Sequence, residues 1–365
     1  MLTSGVDIVG KRERITYLEL LRGILIIAVV AIHTTSFSVT KLPTGSTLYP
    51  LYYIVNVGCN FAVPGFLFLS ALLLFYHYDG RQLNWLSFYK KRIKKVVVPY
   101  LFWSFFYAAY YTYAHGLPLE QGWHRFWSNL PLGNNYEHLY FMIIIAQFYL
   151  LFPLFMLLQK ISMLKRHPLV FGIAVQLAIY LLNYYVWHMD EIGTFIGSYI
   201  LYLYLGAYAA KKMREKGVRQ AFGSGAGWMS AAFIAAAAVY IGQKWLQTAA
   251  PHWVPQPYLS YMNKLSEGLY FSLACLFLLQ LARKFRQGSP LYKTLFSLGT
   301  YSYGIYLLHP FFLLLWREYV QQTGPFSYHL LVWAGGALSI LLSWAIVKAV
   351  SRTPLAPYIV GESAK

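Results

Sequence analysis

The chain has 365 residues, of which 58% are hydrophobic and 19% aromatic but only 12% charged, and its mean hydropathy is +0.46. A soluble core of this size is not built with so few charges, and the apolar residues come in runs of about 20, so a polytopic all-α membrane protein is expected. The net charge of +18 suggests nucleic acid only until its distribution is followed: the basic residues lie in blocks between apolar runs, on one side of the membrane. No nucleic-acid partner is expected. Cys59 and Cys275, the two cysteines, fall inside apolar runs and read as small core residues, not as a disulfide or metal framework.

Taken in order, residues 1–14 form a polar, basic cytoplasmic segment with no cleavage site after the helix that follows, which reads as an uncleaved anchor. About ten transmembrane helices are predicted, at 15–37, 50–76, 95–114, 138–158, 168–187, 192–210, 226–247, 265–282, 291–316 and 328–350. They make one membrane domain, 15–350, followed by a short, loose cytoplasmic tail, 351–365. An even number of spans puts both termini on one side. With that side cytoplasmic, 24 of the 30 Lys and Arg residues lie inside and 5 outside, with Arg22 in the membrane, as the positive-inside rule requires. The longest external segment, about 115–137, carries Trp123, Trp127 and the turn-prone Gly133-Asn134-Asn135 and reads as an ordered lid or interfacial segment. The Ala- and Gly-rich seventh span is expected to permit close helix approach. Short loops leave no room for a separate soluble domain.

The first span holds Glu19, Arg22 and His33. Ionisable groups are costly inside a bilayer and mark functional sites by default. Eleven residues is three turns plus roughly 20°, so Arg22 and His33 share a face about 16 Å apart along the axis, and Glu19 lies one turn from Arg22. Orientation places His33, His138, Glu267, His309, Asn56 and Asn60 at one level in the outer half, and Glu19 and Arg22 level with the basic run Lys90–Lys95. Plainer readings stand beside these: Arg22 as a snorkelling anchor, Lys90–Lys95 as a topological flank, and His33, His138 and Glu267 as structural polar groups. His309, before Pro310, also suits the satisfaction of freed backbone groups.

Several segments together carry a family pattern. Leu18-Glu19-Leu20-Leu21-Arg22-Gly23 followed by His33 resembles the Arg-x10-His signature of membrane-bound acyltransferase family 3, the ten-helix enzymes that O-acylate cell-surface sugars. Pro64–Ser70, the basic stretch Phe88–Tyr100, His138-Leu139-Tyr140-Phe141 and Gly299–Pro310 are similar to further segments of that family, so the resemblance covers most of the chain. Departures are Glu19 where Asp is usual, Lys95 where the third-span Arg-x-x-Arg has its second Arg, and Ala71 where glycine is usual. Lys95 keeps charge but loses the bidentate fork.

The resemblance implies a plasma-membrane enzyme that moves an acyl group, acetyl in the simplest case, from cytosolic acyl-CoA to a hydroxyl of an extracytoplasmic glycan or lipid-linked sugar, without a metal. On that reading Arg22, Arg92 and Lys95 hold the anionic end of acyl-CoA and His33 is the general base. Glu19 orients or neutralises Arg22, while His309, Glu267 and His138 contact the acceptor or, for the first two, fix the His33 tautomer. An acyl-histidine intermediate stays open. The rival reading is a transporter or glycan exporter, against which stand few acidic residues and no paired set of glycine- and proline-broken helices; a membrane scaffold would need neither Arg22 nor His33.

Overall fold

The computed structural model describes residues 15–81, 83–218, 221–222, 226–249, 256–321 and 324–361, and residues 1–14 lie outside this range. Among the described residues the chain is all-helical. The helices are α1 (Tyr17–Lys41), α2 (Tyr49–Gly58), α3 (Ala62–Tyr78), α4 (Trp85–Arg92), α5 (Val98–Ala114), α6 (Leu119–Asn129), α7 (Tyr140–Leu158), α8 (Ser162–Arg166), α9 (Pro168–Leu182), α10 (Ile200–Lys216), α11 (Ala226–Ala249), α12 (Gln256–Lys284), α13 (Pro290–Thr300), α14 (Ser302–Val320), α15 (Pro325–Val350) and α16 (Ala356–Ile359).

Every predicted span contains a helix, but among the described residues seven helical stretches are long and apolar enough to cross a membrane, or eight if the bent pair α13 and α14 is one span. The two that fall short are α5 and α10. Each has 17 residues, and α10 ends in the charged run Lys211-Lys212-Met213-Arg214-Glu215-Lys216. Two predicted spans are interrupted. The second is broken between α2 and α3 at residues 59–61, which leaves Asn60, half-buried, at the break. The ninth bends by 83° at Tyr301, so the sequence reading of one continuous helix there is corrected.

At the centre is α1, which touches α2, α3, α12, α13, α14 and α15. Its buried residues, among them Leu20, Leu21, Leu25 and Ile26, run round the helix, as expected of a helix apolar on all faces. In hydrocarbon, packing between helices gains little from hydrophobicity and relies on close approach. That approach occurs where α1 crosses α13. A methyl group at Gly299 would fall on the backbone carbonyl of Glu19, and one at Gly23 on that of Leu295. The seventh span, α11, packs mainly along α12, with Ala236 buried, while its Gly227 and Gly242 have nothing within 4 Å of a would-be Cβ. Apolar side chains such as Val170, Leu177, Leu341 and Ile346 point outward on α9 and α15, where lipid replaces water.

The tail is not loose as far as residue 361. There α16 packs on α5, the Trp103 indole donates to the Ile359 carbonyl at 2.8 Å, and Ala356 and Val360 are buried. Both cysteines are free, Cys275 buried and Cys59 partly so.

Because only backbone lies opposite Gly299, Gly299→Ala is expected to lower stability by about 1–3 kcal/mol, the usual cost of overpacking. Gly45→Ala, in open space, should stay within about 0.5 kcal/mol of the parent. Thermal unfolding of the purified proteins in detergent measures both.

Candidate active site

Two cavities lie along α1. The one at the N-terminal end of α1, inner on the predicted orientation, has about 200 Å³ and is lined by Arg22, Arg92 and Lys95 together with Ser70, Tyr149 and Ser302, among others. Arg22 donates from Nη1 to Glu19 Oε2 at 2.9 Å, one turn along the helix, so the cation enters the membrane already partnered. The basic run reaches the cavity because a single π-helical turn, Ile93–Val97, joins α4 to α5 and carries Lys95; such turns recur at functional sites. The Arg92 guanidinium lies over the Tyr149 and Phe88 rings, 4.7 and 5.2 Å from their centroids. Ser302 is the first residue of α14, whose opening amides have no side-chain cap, so a helix N-terminus adds partial positive charge to the three cations. Chemically this is a site for an anion.

The outer cavity, of about 320 Å³, is lined by His33, His138, Asn60, Tyr199, Lys264 and Glu267, among others. His33 Nδ1 is 3.1 Å from Glu137 Oε1. A carboxylate only accepts, so this nitrogen carries a proton, and in the neutral ring the lone pair is then on Nε2. Glu137 is held in turn by Arg317, whose Nη1 is 3.5 Å from the same oxygen. Arg317 Nη2 also donates to the His33 carbonyl and to Ser36 Oγ, the latter at 3.0 Å. One guanidinium thus fixes both the imidazole's helix and its carboxylate.

The segment before α7 delivers Glu137. Gly133 turns the chain at φ 76° against the backbone of Leu139 and Tyr140, where a side chain would collide. Asn135 Nδ2 ties the turn back to the Phe126 carbonyl at 3.1 Å, and Asn134 reaches Glu191 at 3.3 Å. Burial works against ionisation of Glu137, but the hydrogen bond and charge of His33 and the Arg317 guanidinium outweigh it and hold the carboxyl at about 2 instead of 4.5.

Three imidazoles meet here. The ring of His309, wholly buried, lies 5.3 Å from that of His33, and the ring of His138 lies 6.5 Å from His33 and 6.0 Å from His309. His309 Nδ1 donates to the Ile305 carbonyl at 2.9 Å, one turn back on its own helix. Among the described residues no group of three metal-ligating side chains converges. Glu267 pairs with Lys264 at 3.1 Å on the far wall of the cavity.

The structure therefore brings His33, His138 and Glu267 to one cavity with His309 packed beside them, and Arg22, Arg92 and Lys95 to the other, with Glu19 on Arg22 at the opposite end of α1 from His33. The partner of His33 Nδ1 is Glu137, not Glu267 or His309. Asn56 turns away from the chemistry and bonds the Ile32 carbonyl and Thr35 on α1. Sequence reasoning missed Glu137, Arg317, Lys264 and Tyr306, the last of which lines both cavities and donates its hydroxyl to the His138 carbonyl. One signal was at hand: Glu137 is one of only 12 acidic residues and directly precedes His138.

Since the folded Glu137 carboxyl sits below its unfolded value, its pairing stabilises the protein above about pH 4.5 and that share is lost as pH falls through about 2. Glu137→Gln should accordingly unfold at a lower temperature than the parent at pH 5, with the deficit shrinking towards pH 2. Thermal scans in detergent at the two pH values test this.

Among curated proteins, the "Probable poly-beta-1,6-N-acetyl-D-glucosamine export protein" of Staphylococcus aureus strain MSSA476 is 28% identical over 177 residues, 45% of this chain and 47% of that protein. Its counterpart in strain MRSA252 is 27% identical over 203 residues, 52% of this chain and 54% of that protein. The chain thus spans about half the length of the curated relatives it matches. No solved structure matches. The family profile described as "Acyltransferase domain" matches residues 15–348, nearly the whole helical bundle and both cavities, and on that match the chain belongs to acyltransferase family 3, as a multi-pass membrane protein.

Proposed function

We propose that the protein is a plasma-membrane O-acyltransferase, its ten spans leaving both termini in the cytosol, which moves an acyl group from cytosolic acyl-CoA to a hydroxyl of an extracytoplasmic glycan or glycolipid. The single observation that carries this reading is that α1 places Arg22 in a cationic inner cavity and His33 in an imidazole-lined outer one, with Tyr306 common to both walls. The inner cations and the N-terminus of α14 suit the phosphates of acyl-CoA. The donor's pantetheine arm is long and slender, and it presents the thioester at its far end. Each cavity is near or below the ~300 Å³ of the smallest ligand pockets, so the arm passes beside Tyr306 and the two volumes act as one.

In the outer cavity, His33 Nε2 takes the proton of the acceptor hydroxyl as its oxygen attacks the thioester carbonyl. The tetrahedral adduct collapses with loss of the C–S bond, and the thiolate takes up the proton as it leaves. Glu137 and Arg317 keep the ring in its Nδ1–H tautomer. Glu19 tempers the burial of Arg22, and Glu267 with Lys264 meets acceptor hydroxyls on the far wall. Because the named relatives concern poly-β-1,6-N-acetyl-D-glucosamine, a polymer of that sugar is the first acceptor to test.

Export of a glycan is the second reading, favoured by the relatives' printed names and by the 83° break in the ninth span, since broken helices line transporter sites. The two part on donor consumption. Purified protein given labelled acetyl-CoA should release CoA in step with acceptor acylation. His33→Ala should reduce this by about 10²–10⁴-fold while insertion and abundance hold, and Arg22→Ala should mainly raise KM for acetyl-CoA. Acceptor movement across liposomes with no CoA release would overturn the acyl-transfer reading in favour of export.

A further inference from the structure

His138 is 1% exposed and lines the outer cavity, yet neither ring nitrogen makes a hydrogen bond of good geometry among the described residues; the Leu307 carbonyl beside the ring already accepts from the Tyr107 hydroxyl at 2.8 Å. Buried polar groups are rarely left so. The ring is not loose: it is held edge-on by Tyr107 and Tyr306, with centroids 5.2 Å away in both cases, and by Tyr136 at 5.7 Å. Its backbone is fixed as well, because the Tyr306 hydroxyl and the Phe141 amide both donate to the His138 carbonyl. A side chain clamped this firmly beside a cavity, with ring nitrogens that lack a well-formed bond, is arranged for a ligand.

Its neighbours decide which ligand group. The one carboxylate at the cluster, Glu137, is taken by His33 and Arg317. With two further imidazoles within 6.5 Å and no water-exposed face, a proton added to His138 would be buried and uncompensated. His138 is therefore neutral and presents one N–H. The rings of His33 and His138 stand at 84° to each other. Both rings border the same cavity, 6.5 Å apart centre to centre, so a hydroxyl on His33 and a carbonyl oxygen on His138, each about 3 Å from its nitrogen, would be neighbours in that cavity.

Resting on the acyl-transfer reading above, we infer that His138 is a second catalytic residue, a neutral imidazole that donates its ring N–H to the thioester carbonyl oxygen and stabilises the oxyanion formed when the acceptor attacks. The donor is preorganised in a site shielded from water, where such a bond is strongest. As His33 takes the acceptor proton, negative charge gathers on the carbonyl oxygen and His138 N–H holds it. It returns to the carbonyl when the C–S bond breaks, and His138 neither gains nor loses a proton over the cycle.

The test uses full-length protein in nanodiscs with acetyl-CoA and a β-1,6-linked N-acetylglucosamine oligomer. His138→Phe keeps the aromatic packing and removes the donor, and it should lower kcat by about 10²–10³-fold with KM for acetyl-CoA changed less than about threefold. His138→Gln restores an N–H and should recover at least about tenfold of that loss. In His33→Ala protein, where turnover is blocked, the infrared carbonyl stretch of bound 1-13C-acetyl-CoA should lie below its position in water-free solvent, and the shift should vanish in the His33→Ala, His138→Phe double variant. The infrared measurement stands even where His138→Phe expresses too poorly for kinetics, because His138→Leu in the same background serves equally. A kcat within threefold of the parent for His138→Phe, equal losses for Phe and Gln, or an unshifted carbonyl stretch in His33→Ala protein would overturn the role of His138. Parent protein that consumes no acetyl-CoA would instead remove the acyl-transfer reading, and this inference with it.

Discussion

An arginine and a histidine eleven residues apart on one buried helix each need polar company inside hydrocarbon, and that requirement shapes the surroundings of α1. At the inner end, Glu19 meets Arg22 within the same helix, so the ion enters the bundle as a pair. Pairing alone would leave α1 free to turn. The backbone contact of Gly23 and Gly299 with α13 fixes its rotation and so the direction of Arg22. At the outer end no local partner exists, and the chain supplies one from 104 residues away. Glu137 arrives through a glycine turn and two asparagine ties, and Arg317 on α14 closes the group by bonding α1 and the carboxylate together. The cost of burying charge in lipid is thus met at one end by sequence-near contacts and at the other by tertiary structure.

That difference also explains what could be read from the sequence. Arg22, His33, Arg92 and Lys95 were legible because helix periodicity converts spacing into direction, and topology converts position into depth. His138, His309 and Glu267 were placed at the right level for the same reason. Glu137 and Arg317 were not, since a charge at the end of a hydrophobic run is ordinary, and nothing local marks which loop charges fold back over the site. The break at Tyr301 was equally hidden: the run 291–316 is mostly apolar, with no proline at the bend itself, Pro290 opening α13 and Ser302 opening α14 on either side. The backbone approach of α1 to α13 was also unmarked, because it rests on one glycine in each helix, Gly23 and Gly299.

Tyr306 joins these two stories. It sits on α14 one turn after the break and one turn before His309, in the wall common to both cavities. Its hydroxyl, bonded to the His138 carbonyl, is satisfied without water, so the ring needs no polar surroundings to be stable in a dry bundle. A bilayer protein with a cationic cavity near one face and a polar cavity near the other faces a general hazard, because a continuous wet path between them would carry protons and ions down their gradients. An aromatic side chain in the wall of both volumes, Tyr306, narrows that path. That side chain is anchored at the same backbone atom that positions His138, which ties the shared wall to the geometry of the imidazole cluster: displacement of Tyr306 by anything threading from the inner cavity would also release the carbonyl that holds His138. The wall shared by the two cavities and the imidazole cluster are therefore not independent parts of this fold, and both depend on α14 starting where it does, at the bend.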